Sequence, residues 1–63
     1  MEFTLEDIIN ARNIMVELCY DDPKREVVLG ILYGLLAMKD YELMHVILEK
    51  LSEEYFLKKN IYQ

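Results

Sequence analysis

Twelve consecutive residues, Val27 to Met38, carry no charge in a chain of only 63 residues. A helix of that sequence has no side built for water, so other protein must cover it all round. It is well short of the roughly 20 apolar residues needed to cross a bilayer, which points to a buried helix and not to a membrane span. A 63-residue monomer buries too small a share of its surface to be comfortably stable without extra support. Cys19 is the only cysteine, which excludes a disulfide framework, and neither it nor the single His45 has the neighbours of a zinc site. The support that remains is a second copy. A hydrophobic content of 54%, more than one thin core absorbs, points the same way.

Around this segment the chain reads as helix throughout, since no stretch alternates polar and apolar residues. Thr4 is a good N-cap, with Glu6 and Asp7 placing negative charge in the first turn, and predicts a first helix over about 4–20. Its polar residues Glu6, Asn10, Asn13 and Glu17 lie opposite a dry arc of Leu5, Ile8, Ile9, Met15, Val16 and Cys19. Asp21-Asp22-Pro23 predicts a turn, because proline disfavours helical geometry at Asp22 but suits the first position of a new helix that Asp22 would cap. The second helix then runs over about 24–58, and two readings stay open at Lys39-Asp40. Asp40 is able to cap a third helix, yet neither glycine nor proline forces a break. Val27, Gly30, Gly34, Ala37, Tyr41, Met44, Leu48, Leu51 and Tyr55 keep three-four spacing across the doubtful point, as the seam of one long helix would. Lys58 and Lys59 suit the negative C-terminal end, and residues 60–63 are expected to fray.

The expected fold is therefore all-α, a helical hairpin or three helical segments, which dimerises into an antiparallel four-helix bundle with the three-four seam as core and interface. A second, sideways stripe of Leu43, Val46 and Leu57, with Ile14 and Leu18 on the first helix, is a further candidate contact. Gly30 and Gly34 are expected to mark a close helix crossing, since glycine inside a helix costs roughly 1 kcal/mol relative to alanine. Arg12 falls inside the dry arc of the first helix. There it either covers apolar surface with its stem or forms a buried ion pair with Glu54 or Asp40.

Twelve acidic residues against seven basic ones give a formal charge of −5, which repels phosphates and anionic lipid unless the basic residues cluster, and they do not. A helix-turn-helix DNA reader needs Arg, Lys, Asn or Gln on its recognition helix. Here the helix after Pro23 is almost wholly apolar, and the last one displays Glu42, Glu49, Glu53 and Glu54. A nucleic-acid-associated regulator is the second reading on this ground. Glu42-Leu43-Met44-His45 fits the Glu-x-x-His pattern of di-iron bundles, but a helical wheel turns Glu42 and His45 away from Met44, Leu48 and Leu51, and such ligands must project inward. Cys19 and His45 are the only nucleophile and base that could pair, and Cys19 on the dry arc is expected to be a small buried hydrophobe. No cofactor, metal or catalytic residue is expected. The lone cysteine and the lack of a basic-then-apolar start predict a cytoplasmic protein, and the uncharged segment with the spare apolar stripe predicts a non-enzymatic adaptor or scaffold that binds itself and a further protein partner.

With two helical arms, a turn at Asp21-Asp22-Pro23 and a seam that wants a second copy, the chain resembles the Rop family of plasmid RNA-modulating proteins, which are helical-hairpin dimers. Those dimers offer a basic RNA-contacting face, whereas the exposed positions here carry mainly glutamates, so the RNA role is not implied. In its compact length and its Val27 to Met38 run it also resembles small proteins of the spindle-shaped viruses of hyperthermophilic archaea, the fuselloviruses. That resemblance implies a viral accessory protein in the host cytoplasm, an adaptor in assembly or regulation, and supplies no catalytic residue.

Overall fold

Three helices account for almost all of residues 2–61, which are the residues that the computed structural model describes: α1 (Leu5–Glu17), α2 (Asp22–Met38) and α3 (Tyr41–Ile61). There is no strand among the described residues, so the all-α expectation holds. Of residues 60–63, expected to fray, Asn60 and Ile61 instead continue α3, three residues past its expected end, and 62 and 63 lie outside the described residues. The start of α1 follows from its sequence: the Thr4 amide donates to Asp7 Oδ2 at 2.7 Å, the reciprocal half of a capping box. Asp21 is the N-cap of α2, one residue earlier than its composition predicts, and Pro23 lies in the first turn, where its missing N–H is harmless.

Both interhelical turns are made the same way. Cys19 takes a left-handed φ of 61°, and the amides of Cys19 and Tyr20 donate back to the Val16 and Met15 carbonyls, each at 3.1 Å. Lys39 takes a φ of 58°, with the amides of Lys39 and Asp40 reaching Leu36 O at 3.1 Å and Leu35 O at 2.9 Å. These paired bonds are Schellman motifs, which satisfy the last carbonyls of a helix and reverse the chain. Asp40 then caps α3, its Oδ1 accepting from the Leu43 amide at 3.3 Å. The continuous helix over 24–58 is thus replaced by two helices, and the three-segment architecture is the one formed. α1 likewise stops at Glu17, three residues short of its expected end, because Cys19 leaves the helical region.

Glycine is the residue that the left-handed position favours, and neither turn has one. Lys39→Gly should therefore stabilise the fold by about 0.5–1 kcal/mol, the relief of left-handed strain less the greater chain entropy of glycine. A higher denaturant midpoint at unchanged slope would register it, and a lower midpoint would show that Lys39 is not strained.

α1 and α3 run parallel, with α2 antiparallel to both. At one end the Phe3 ring lies 6.2 Å from that of Tyr41 and 6.4 Å from that of His45, and at the other Tyr20 meets Glu54. Seven apolar side chains form the core: Ile8, Ala11 and Met15 from α1, Leu32 and Leu35 from α2, and Met44 and Leu51 from α3. Ile14, Leu18, Tyr41 and Leu48 pack against it half-buried. No polar or charged residue is buried among the described residues.

The inward face of α1 differs from the arc expected of it. The helix is apolar round more than half its circumference, so periodicity alone does not select the buried part. Ala11 lies in the middle of the face that is buried, where a small side chain lets the neighbouring helices come close. Leu5, Ile9, Val16 and Cys19 consequently face out. Arg12 goes with them: it is exposed and forms no ion pair among the described residues, while Glu54 is taken by Tyr20. Arg12 therefore forms no buried ion pair within one chain, with Glu54 or with Asp40.

Candidate interaction surface

Eleven large apolar side chains among the described residues are half or more exposed, or close to it, and they outnumber the seven that form the core. They are ordered by helix. α1 presents Leu5, Ile9 and Val16 at helical spacing, interrupted by the exposed Arg12. α3 presents Leu43, Val46 and Leu57, interrupted by Lys50, whose Nζ lies 3.9 Å from Glu53 Oε2, with Phe56 at 65% exposure beside Leu57. α2 presents Val27 at 63% exposure, Ile31 at 49% and Met38 at 71%, with Gly30, Gly34 and Ala37 open between them and Tyr33 at the margin. Glu26, four residues before Gly30, and Lys24, three before Val27, are the exposed charges that flank that face in the first turns of α2.

The predicted seam thus divides at the Lys39-Asp40 turn. Met44 and Leu51 are core and Tyr41, Leu48 and Tyr55 are half-buried, whereas Val27, Gly30, Gly34 and Ala37 point away from the chain's own core. The geometry of α2 explains the division. Twelve uncharged residues supply apolar side chains to every side of the helix, and the two neighbouring helices cover only the side that holds Leu32 and Leu35. A Cβ added at Gly30 or Gly34 meets nothing within 4 Å, so no helix of the same chain crosses there. Of the second candidate contact, Ile14 and Leu18 are spent on the core, while Leu43, Val46 and Leu57 remain outside.

The polar contacts that link helices through side chains gather at the α1–α2 corner. Tyr20 is the hub of that corner. Its carbonyl accepts from Arg25 Nη1 at 2.8 Å, its hydroxyl donates to the Glu54 carboxylate, and Lys24 Nζ stands 4.1 Å from its ring centroid. Arg25 also pairs with Asp22. Lys58 donates to the Glu17 carbonyl and so neutralises the negative end of α1, not only that of its own helix. Its Nζ is 3.6 Å from the exposed Cys19 Sγ, which is therefore not the buried hydrophobe expected. Sequence reasoning had no signal for the Tyr20–Glu54 and Lys58–Glu17 links, because they join residues 34 and 41 positions apart.

The Glu54 carboxylate accepting from Tyr20, together with partial burial, pushes the phenol up from 10.0 to about 12. A group whose folded value is raised contributes its stability fully below its unfolded value and loses it as pH climbs to the folded one. Unfolding free energy should accordingly fall between about pH 10 and 12 through this corner. Tyr20→Phe should remove that part of the alkaline slope, as measured by denaturant titration at each pH, and an unchanged slope would show that the bond contributes nothing.

Glu42 and His45 are both exposed, and His45 Nε2 pairs with Glu49 Oε2 at 3.1 Å along the helix surface. They line an open depression of about 580 Å³ with Lys39, Asp40 and Tyr41. Among the described residues no three His, Cys, Asp or Glu side chains come together closely enough to hold a metal ion. No described helix is long and apolar enough to cross a membrane. No protein-family model, curated protein or solved structure matches the chain.

Proposed function

We propose that the chain is a non-catalytic interaction module, an adaptor or scaffold whose working unit is a homodimer. The observation that carries this reading is the surplus of ordered apolar surface on α2, since large exposed apolar patches on small proteins mark contact sites. Bulk dimensions agree. The chain exposes 4674 Å² where a folded monomer of its mass exposes roughly 4300 Å². Its radius of gyration is 11.8 Å against about 10.6 Å for a compact domain of this length. In a three-helix chain the dimeric bundle expected from the sequence takes the form of two copies set face to face, with α1 and α3 of each carrying the acidic outer surface. The interrupted stripes on α1 and α3 are then left for the second protein that an adaptor must hold.

Light scattering on a size-exclusion column tests the homodimer. Twice the 7.6 kDa chain mass at low micromolar concentration is expected, with an unfolding midpoint that rises with protein concentration. A monomer with a concentration-independent midpoint would overturn the reading.

A further inference from the structure

Resting on that reading, we infer that the occupant of the α2 face is α2 of a second copy, laid antiparallel across Gly30 and Gly34. Charge selects the occupant. Each chain carries −5 overall, so two copies repel wherever their acidic surfaces meet. Glu2 and Glu6 stand out from the start of the chain and α1, and Glu42, Glu49, Glu53 and Glu54 from α3. The face of α2 from Val27 to Met38 bears no charge and is the broad apolar side on which two copies approach without that repulsion.

Charge also selects the direction. Parallel apposition would set Glu26 beside Glu26 of the second copy and would align the two helix dipoles. Antiparallel apposition centred between Gly30 and Gly34 separates the two Glu26 residues by about 18 Å along the axis, beyond the screening length of roughly 8–10 Å. Each Glu26 then lies within one turn of Lys39 of the second copy, and the positive end of each helix meets the negative end of the other. The same centre sets Gly30 level with Gly34 of the second copy, and Val27 level with Ala37, so that large meets small. With no side chain at the crossing, two backbones can come close, which gives the glycines a use that no contact within one chain supplies.

The area points to a contact at the small end of the range. The surface exposed beyond that of a compact monomer is about 400 Å², about half of one partner's share, about 800 Å², of a standard interface.

Site-directed cross-linking tests the arrangement. In a Cys19→Ser background, Val27→Cys and Ala37→Cys are made separately, on chains of different mass, and treated with a short thiol-specific cross-linker alone and after mixing. Both positions are exposed, so the fold should tolerate them. Antiparallel pairing predicts cross-links in the mixture and few in either variant alone, because identical positions stand about 15 Å apart along the axis. Efficient self-linking of each single variant would mean parallel pairing and would overturn the inference. A dimer by light scattering that gives no cross-link in any combination would place the interface elsewhere, overturning the inference while leaving the homodimer intact. A monomer by light scattering would overturn both.

Discussion

Met44→Ala is expected to leave the chain largely unfolded at room temperature. The Met44 side chain has no exposure at all and belongs to the same core as Ile8, Met15 and Leu32. Truncating such a residue costs roughly 2–5 kcal/mol, the lost transfer energy plus the cavity left behind. A single core in a chain below about 70 residues rarely supplies more than 3–5 kcal/mol, so one deletion of this kind uses up most of the margin. Circular dichroism should show loss of most helical signal, or a cooperative melt displaced to much lower temperature. Leu32→Ala should act alike, because Leu32 is equally buried on the facing helix. Truncation of the equally large but exposed Met38 is the control, and should cost little in the isolated chain. A Met44→Ala variant within 1 kcal/mol of the parent would mean that Met44 is not enclosed as described.

The helices were legible in the sequence where their ends use ordinary chemistry. Thr4 with Asp7 and the Asp21-Asp22-Pro23 turn both place a polar acceptor or a proline where a helix begins, and both turned out to lie at helix starts. The Lys39-Asp40 turn is ambiguous in the sequence because its strongest usual marker is displaced. Both glycines sit in the interior of α2, where they weaken the helix, while the two left-handed positions are filled by Cys19 and Lys39. A reader of glycine as punctuation looks in the wrong places. Periodicity failed for a related reason at the surface. In α1 and α2 the apolar residues exceed what one core takes up, so the wheel marks two dry sides and does not say which is inward. For α1 it favoured the side of Val16 and Arg12, and the packing uses the side of Ala11. The Tyr20–Glu54 and Lys58–Glu17 links depend on how α1 and α3 lie together, which no local pattern encodes.

Gly34→Glu is expected to have opposite effects on the single chain and on the proposed pair. Within one chain a Cβ at position 34 meets open space, and glutamate is a better helix former than glycine by roughly 0.5–1 kcal/mol. The monomer should therefore keep its fold and gain slightly in intrinsic stability. In the antiparallel pair the same change puts two carboxylates into the middle of an uncharged contact, each opposite Gly30 of the other copy and without a counter-charge in reach. An uncompensated buried charge costs on the order of 3–5 kcal/mol, and every 1.4 kcal/mol is tenfold in affinity, so dimerisation should weaken by at least about 100-fold. Sedimentation over a dilution series should show a monomer at concentrations where the parent is dimeric. Gly34→Ala separates charge from size: it adds only a methyl group, should raise helix stability by about 1 kcal/mol, and should weaken the pair far less. If Gly34→Glu left the dimer constant unchanged, the α2 face would not be the contact, and its uncharged surface would require another occupant.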